Sequence, residues 1–198
     1  IELCSELGVG GVTPSMGMIR LVKERLSIPV HVIVRPRSGH FTYSNTEFEV
    51  MLADIEACKK AGVDGIVSGV LRKDFSVDEE RTQKLVERSG SLHFTFHRAV
   101  DWVANPLEAL AHLEHIGVNT VLTSGGEPSA EKGLKNLEAW QQQTALTLMA
   151  GGGVSPSNAH HFKEIGLKVI HCSGTVFGDV LELSGKIPMN SSKHLVED

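Results

Sequence analysis

Three segments of this chain share one pattern: Ala61-Gly62-Val63-Asp64, Ile116-Gly117-Val118-Asn119 and Ile165-Gly166-Leu167-Lys168. In each, a helical run stops at a glycine, the residue that takes a left-handed backbone at least steric cost, and an apolar residue then leads into a strand. Punctuated this way, the chain must alternate helix and strand. Strands read near residues 1–4, 29–35, 64–68, 92–97, 119–124, 146–150 and 168–172, so each strand–helix unit takes 22 to 35 residues. Serial strands joined by helical crossovers pair in parallel, and they read as nearly unbroken apolar runs because helices cover the sheet.

Helix starts are marked as well. Thr13-Pro14, Asn105-Pro106 and Ser155-Pro156 each set a capping side chain before a proline at the first helical position. Ser44 with Glu47, and Ser76 with Glu79, have capping-box spacing. Both an open doubly wound sheet and a closed (β/α)8 barrel fit this alternation. The barrel is favoured because polar residues stand at the C-terminal end of almost every strand and not at one switch point. Seven strands predict a TIM-type barrel whose first strand–helix unit is missing before Ile1, since a complete barrel takes about 250 residues. The barrel domain is expected over 1–176, with an irregular tail over 177–198.

Composition narrows the classes of partner. The chain has 198 residues and a formal charge of −5 without segregation, which argues against a nucleic-acid partner. Its longest apolar runs, at 30–34 and 66–71, are strand-sized and far from a membrane span. Cys4, Cys58 and Cys172 are odd in number and lack a CxxC pair, so reduced thiols are expected in place of a disulfide framework. Cys58 shares a helical face with Phe48, Met51 and Ile55 and reads as core. His112, His115, His160 and His161 fall on helices, away from the strand ends, and read as surface residues.

The strand ends carry the candidate chemistry. Arg35 and Arg37 share strand parity and suit an anion clamp, or else an ion-pair network with Glu2, Asp101 or a neighbouring acid. Ser124-Gly125 and Gly152-Gly153 each follow a strand and precede a helix, where backbone amides can cradle an anion. His97, Glu2 and Asp101 are candidate acid/base groups, with a hydrogen-bonded structural role as the alternative for His97. Arg98 stands among the strand-end residues without an assigned role. Glu2 and Cys4 share a face, as do His171 and Ser173. Cys4 and His171 are therefore the inward candidates for a thiolate-preferring ion such as Cu(I), whereas alternation turns Cys172 toward the helices. Nothing indicates an organic cofactor.

Eight motifs in register carry a resemblance: Ile1-Glu2-Leu3-Cys4, Gly10-Gly11-Val12-Thr13-Pro14-Ser15, Arg35-Pro36-Arg37, Phe41-Thr42-Tyr43-Ser44, Thr95-Phe96-His97-Arg98-Ala99, Leu122-Thr123-Ser124-Gly125, Gly151-Gly152-Gly153 and His171-Cys172-Ser173. From residue 1 to about 175 the chain resembles the CutC copper-homeostasis family, specifically an animal homologue shortened at its N-terminus. The resemblance implies a TIM-type barrel, a cytoplasmic and also nuclear location, a homo-oligomer, and a role in copper storage, trafficking or tolerance through Cu(I). On that reading Cys4 leads as metal ligand, with Cys172 and His171 behind it. Ser38-Gly39-His40 departs from the family's Gly-Gly-Asp, Val100 from its Phe, and Val169 from a common acid. The competing expectation, drawn from the residues alone, is an enzyme acting on a small anionic or phosphorylated metabolite.

Overall fold

A computed structural model describes residues 1–175; the expected tail over 177–198 lies outside the described residues. Among the described residues seven parallel strands form one sheet in sequential order: β1 (Glu2–Leu3), β2 (His31–Ile33), β3 (Gly65–Ser68), β4 (His93–Phe96), β5 (Thr120–Thr123), β6 (Thr147–Gly151) and β7 (Val169–His171). Six α-helices alternate with them: α1 (Met16–Arg25), α2 (Asn45–Lys60), α3 (Glu79–Ser89), α4 (Pro106–His115), α5 (Leu134–Gln141) and α6 (Ala159–Glu164). Short 3₁₀ turns follow β1 at Leu7–Val9 and β4 at Arg98–Trp102. The sheet curls as a TIM-type barrel does, because sequential right-twisted parallel strands rotate in one sense. The curl brings a side chain of β1, Glu2, within 3.5 Å of one on β7, His171. No helix among the described residues is long and apolar enough to cross a membrane.

All seven expected strands are present. The glycine stops hold too: Gly62, Gly117 and Gly166 have φ of +72°, +86° and +85°. β3 and β5 are buried along their whole length, and Ile66, Phe94, Phe96, Val121 and Leu148 join helix residues such as Ile55, Leu85, Leu110 and Phe162 in one core. Cys58 belongs to that core and burial pushes its thiol up to about 11, as its helical face predicts.

Four helix starts differ from the expectation. Thr13 does not cap α1, because its hydroxyl is tied to the backbone of Arg35 on both sides; Ser15 accepts the amide of Met18 instead. Ser76 donates to Asp74, and Asp78 caps α3 through the amide of Arg81. Ser155-Pro156 belongs to a turn in which Ser155 donates its amide to Asn158 Oδ1, so α6 begins later. Pro106 opens α4, but Asn105 makes no side-chain cap there and donates to Glu108 instead; Ser44 and Glu47 do form a reciprocal capping box. A hydroxyl near a helix start caps only when no longer-range partner claims it.

Candidate functional site

Parallel strands deliver all their C-terminal ends to one side, and there the structure encloses a cavity of about 950 Å3. Glu2 and Cys4 reach it from β1, the 38–41 loop from β2, His97 and Arg98 from β4, residues 152–154 from β6, and residues 171–174 from β7. Phe41 and Trp102 give it an apolar wall, their rings 4.9 Å apart, with Trp102 48% exposed. Burial pushes the Glu2 carboxyl above its usual range, and the facing His171 pulls it back only in part. Of the sequence-derived acid/base candidates, Glu2 alone keeps a carboxyl at the cavity in contact with a titratable neighbour.

The two arginines do not form a clamp. Arg35 is 5% exposed and donates to the carbonyls of Val9 and Gly11, both at 2.9 Å, and of Gly39 at 2.8 Å. Arg37 lies past the end of β2, where strand alternation no longer orients it. It pairs with Glu47, donates to the carbonyls of His40 and Thr42, and lies over the Tyr43 ring. Both guanidiniums are used to pin the loops that build the rim. The ion-pair alternative describes Arg37, whose partner is a neighbouring acid, Glu47.

His97 is 4% exposed and caps the following 3₁₀ turn by accepting the Ala99 amide at Nδ1. It fits because Gly69 opposes it: a Cβ there would lie 2.8 Å from the imidazole. Burial and the nearby Arg35 charge push its pKa down to about 3, so it is neutral and a weak base, the structural reading. Asp101 is likewise committed. Its carboxylate accepts the amide and hydroxyl of Ser124, the hydroxyl of Thr123, the amide of Gly126 and Nε of Arg98. The amide of Gly125 goes to Thr123 Oγ1 at 2.9 Å. The loop after β5 therefore does cradle an anion, but that anion is the protein's own Asp101.

The loop after β6 is arranged differently. Gly152 and Gly153 hold φ of +102° and +76°, and the Arg98 guanidinium packs on Gly152, with Nη1 3.1 Å from where a Cβ would stand. Arg98 is the residue that sequence reasoning left without a role. Its signal was present in the His97-Arg98-Ala99 motif, but only the contacts separate it from Arg35 and Arg37.

Cys4 and His171 face the cavity as expected. Cys172 also lines it, contrary to the parity argument, because β7 ends at His171 and residue 172 is no longer in strand geometry. Burial and the neighbouring Glu2 charge push the Cys4 thiol up. Among the described residues no three His, Cys, Asp or Glu side chains are grouped to hold a metal ion. Any ion held here would have at most two of these ligands in the arrangement seen.

Comparison with known proteins gives one consistent answer. The CutC family matches residues 1–176. A family protein CutC from Salmonella enteritidis PT4 is 45% identical over 177 residues, covering 89% of this chain and 71% of that protein. The crystal structure of CutC from Streptococcus agalactiae, named for copper homeostasis, superposes with a TM-score of 0.82 at 30% identity, covering 86% of each chain. A deoxyribose phosphate aldolase from Aeropyrum pernix, at 16% identity and a TM-score of 0.60, covers 78% of this chain and 68% of its own, and shares the fold alone.

Proposed function

Because the chain belongs to the CutC copper-homeostasis family, we propose that it binds Cu(I) at the strand-end cavity and carries it in intracellular copper storage, trafficking or tolerance. The observation that supports this reading is that Cys4, His171 and Cys172 line one cavity. Thiolate sulfur selects Cu(I) over harder ions, and imidazole is an acceptable second ligand. A pair of such ligands suffices for Cu(I), which accepts two-coordinate sites. In this reading Cys4 is the first ligand, and Cys172 or His171 completes the pair. Cys58, buried in the core, takes no part. The thiols are free and the proposed setting is the reducing cytoplasm, where they persist.

Binding must displace the Cys4 proton, so affinity rises with pH. Anaerobic titration against a competing Cu(I) chelator tests the proposal. Cys4→Ser is expected to weaken binding at least about tenfold, and Cys4→Ser with Cys172→Ser to remove it. Affinity unchanged in the double variant overturns the cysteine site.

A further inference from the structure

The two glycine loops above the sheet differ in one respect that no motif shows. After β5, the amides of Ser124 and Gly126 are taken by the Asp101 carboxylate and that of Gly125 by Thr123. After β6, the amides of Gly152, Gly153 and Val154 have no hydrogen-bond partner among the described residues, while the carbonyls of Gly152 and Gly153 are held by Ala130 and Asn158. Arg98 joins the two loops. Its Nε is held by Asp101 at 2.8 Å and its Nη2 by Ser124 Oγ at 2.8 Å, which leaves Nη1 beside Gly152 with no partner among the described residues.

We propose that Nη1 of Arg98 and the amides of Gly152, Gly153 and Val154 bind the phosphate group of a small phosphorylated molecule. The loop after β5 shows that a glycine turn in this fold receives an oxyanion; the loop after β6 offers the same kind of donors with no internal oxyanion among the described residues to fill them. Three amides and the two N–H groups of Nη1 make five donors. That number exceeds what the two oxygens of a carboxylate take in one plane and suits the three terminal oxygens of a phosphate ester, which carries close to two negative charges. The guanidinium is pre-positioned by Asp101 and Ser124, so little ordering is lost on binding. Asp101 neutralises part of its charge, and the backbone amides supply the rest of the attraction. The cavity of about 950 Å3 that contains this site is large enough for a metabolite-sized body, with the Phe41 and Trp102 rings as an apolar wall and Glu2 as the carboxyl in the same cavity. This site uses none of the proposed copper ligands and stands or falls separately from them.

Amide resonances of the metal-free protein, followed during titration with inorganic phosphate and with glycerol phosphate at constant ionic strength, test the site. Saturable shifts of Gly152, Gly153 and Val154, with Gly125 and Gly126 unmoved, are the expected result. Arg98→Lys, which retains a positive charge beside Asp101, is expected to weaken phosphate about tenfold. No saturable shift at these three amides up to about 10 mM phosphate overturns the proposal, and this arm needs no variant to fold. Acetate binding as tightly as phosphate overturns the phosphate assignment, and sulfate and chloride shifting the same amides equally overturns a specific site. Phosphate affinity unchanged in Arg98→Lys overturns the role of Nη1.

Discussion

Asp101 accepts both the amide and the hydroxyl of Ser124 at 3.0 Å, joining the turn after β4 to the loop after β5. Its side chain is 6% exposed, and Arg98, Thr123 and Gly126 complete its partners. One carboxylate thus substitutes for an external anion in one glycine loop and aims an arginine at the next.

Removing that carboxylate should be costly. Asp101→Ala leaves two amides, the Thr123 hydroxyl and Nε of Arg98 with an acceptor gone, while the Ser124 hydroxyl keeps the Glu127 carbonyl, and the expected loss is about 3–5 kcal/mol. Asp101→Asn keeps the shape but presents a donor to part of the same set, for a loss of about 2–3 kcal/mol. Urea unfolding measures both, and a loss below about 1 kcal/mol for the alanine variant would contradict the assigned network.

Glycines in this fold are required for two separable reasons. A Cβ on Gly133 would lie 1.9 Å from the Ser124 carbonyl oxygen, so Gly133→Ala must displace backbone and should cost about 3 kcal/mol or more. Gly62, at φ +72°, has open space around the same atom, so Gly62→Ala should cost only the left-handed strain of about 1–2 kcal/mol. Thermal unfolding of the pair decides, and equal losses would refute the distinction.

His97 sets a pH dependence of stability. Burial and Arg35 hold its folded pKa at about 3, below the unfolded value of 6.5. As pH falls through 6.5 the unfolded chain takes up a proton that the folded chain refuses. Stability present above that pH is therefore lost on acidification, by up to about 1.4 kcal/mol per pH unit. His31 and His93, both lowered chiefly by burial, act in the same direction. His97→Asn should flatten the fall in urea midpoint between neutrality and about pH 5 without abolishing it; an unchanged slope would show that His97 is not buried neutral.

The capping box of α2 gives a local test. Ser44→Ala loses the cap on the Glu47 amide and should cost about 1 kcal/mol. Glu47→Ala should cost more, because the same carboxylate accepts the Ser44 amide and pairs with Arg37. Chemical denaturation of the two variants ranks them, and the reverse order would mean that the Arg37 pair contributes nothing.

The amino-acid sequence alone determined the seven strands, the parallel connectivity, the glycine stops at 62, 117 and 166 and the burial of Cys58. Each of these is set by local propensity and by an apolar period that a short window of residues already contains. It also brought Glu2, Cys4, His97, Arg98 and the Gly152-Gly153 turn to one end, since parallel strands have no other way to place their C-terminal ends. Only the tertiary structure decided which of the polar residues there keep their donors and acceptors available. Arg35, Arg37, Arg98 and Asp101 are equally plausible ligands in one dimension. They differ by whether a carbonyl from the 9–11 or 38–42 loop, or an amide 23 residues on, already holds them, and that assignment depends on distances between segments that no local pattern encodes.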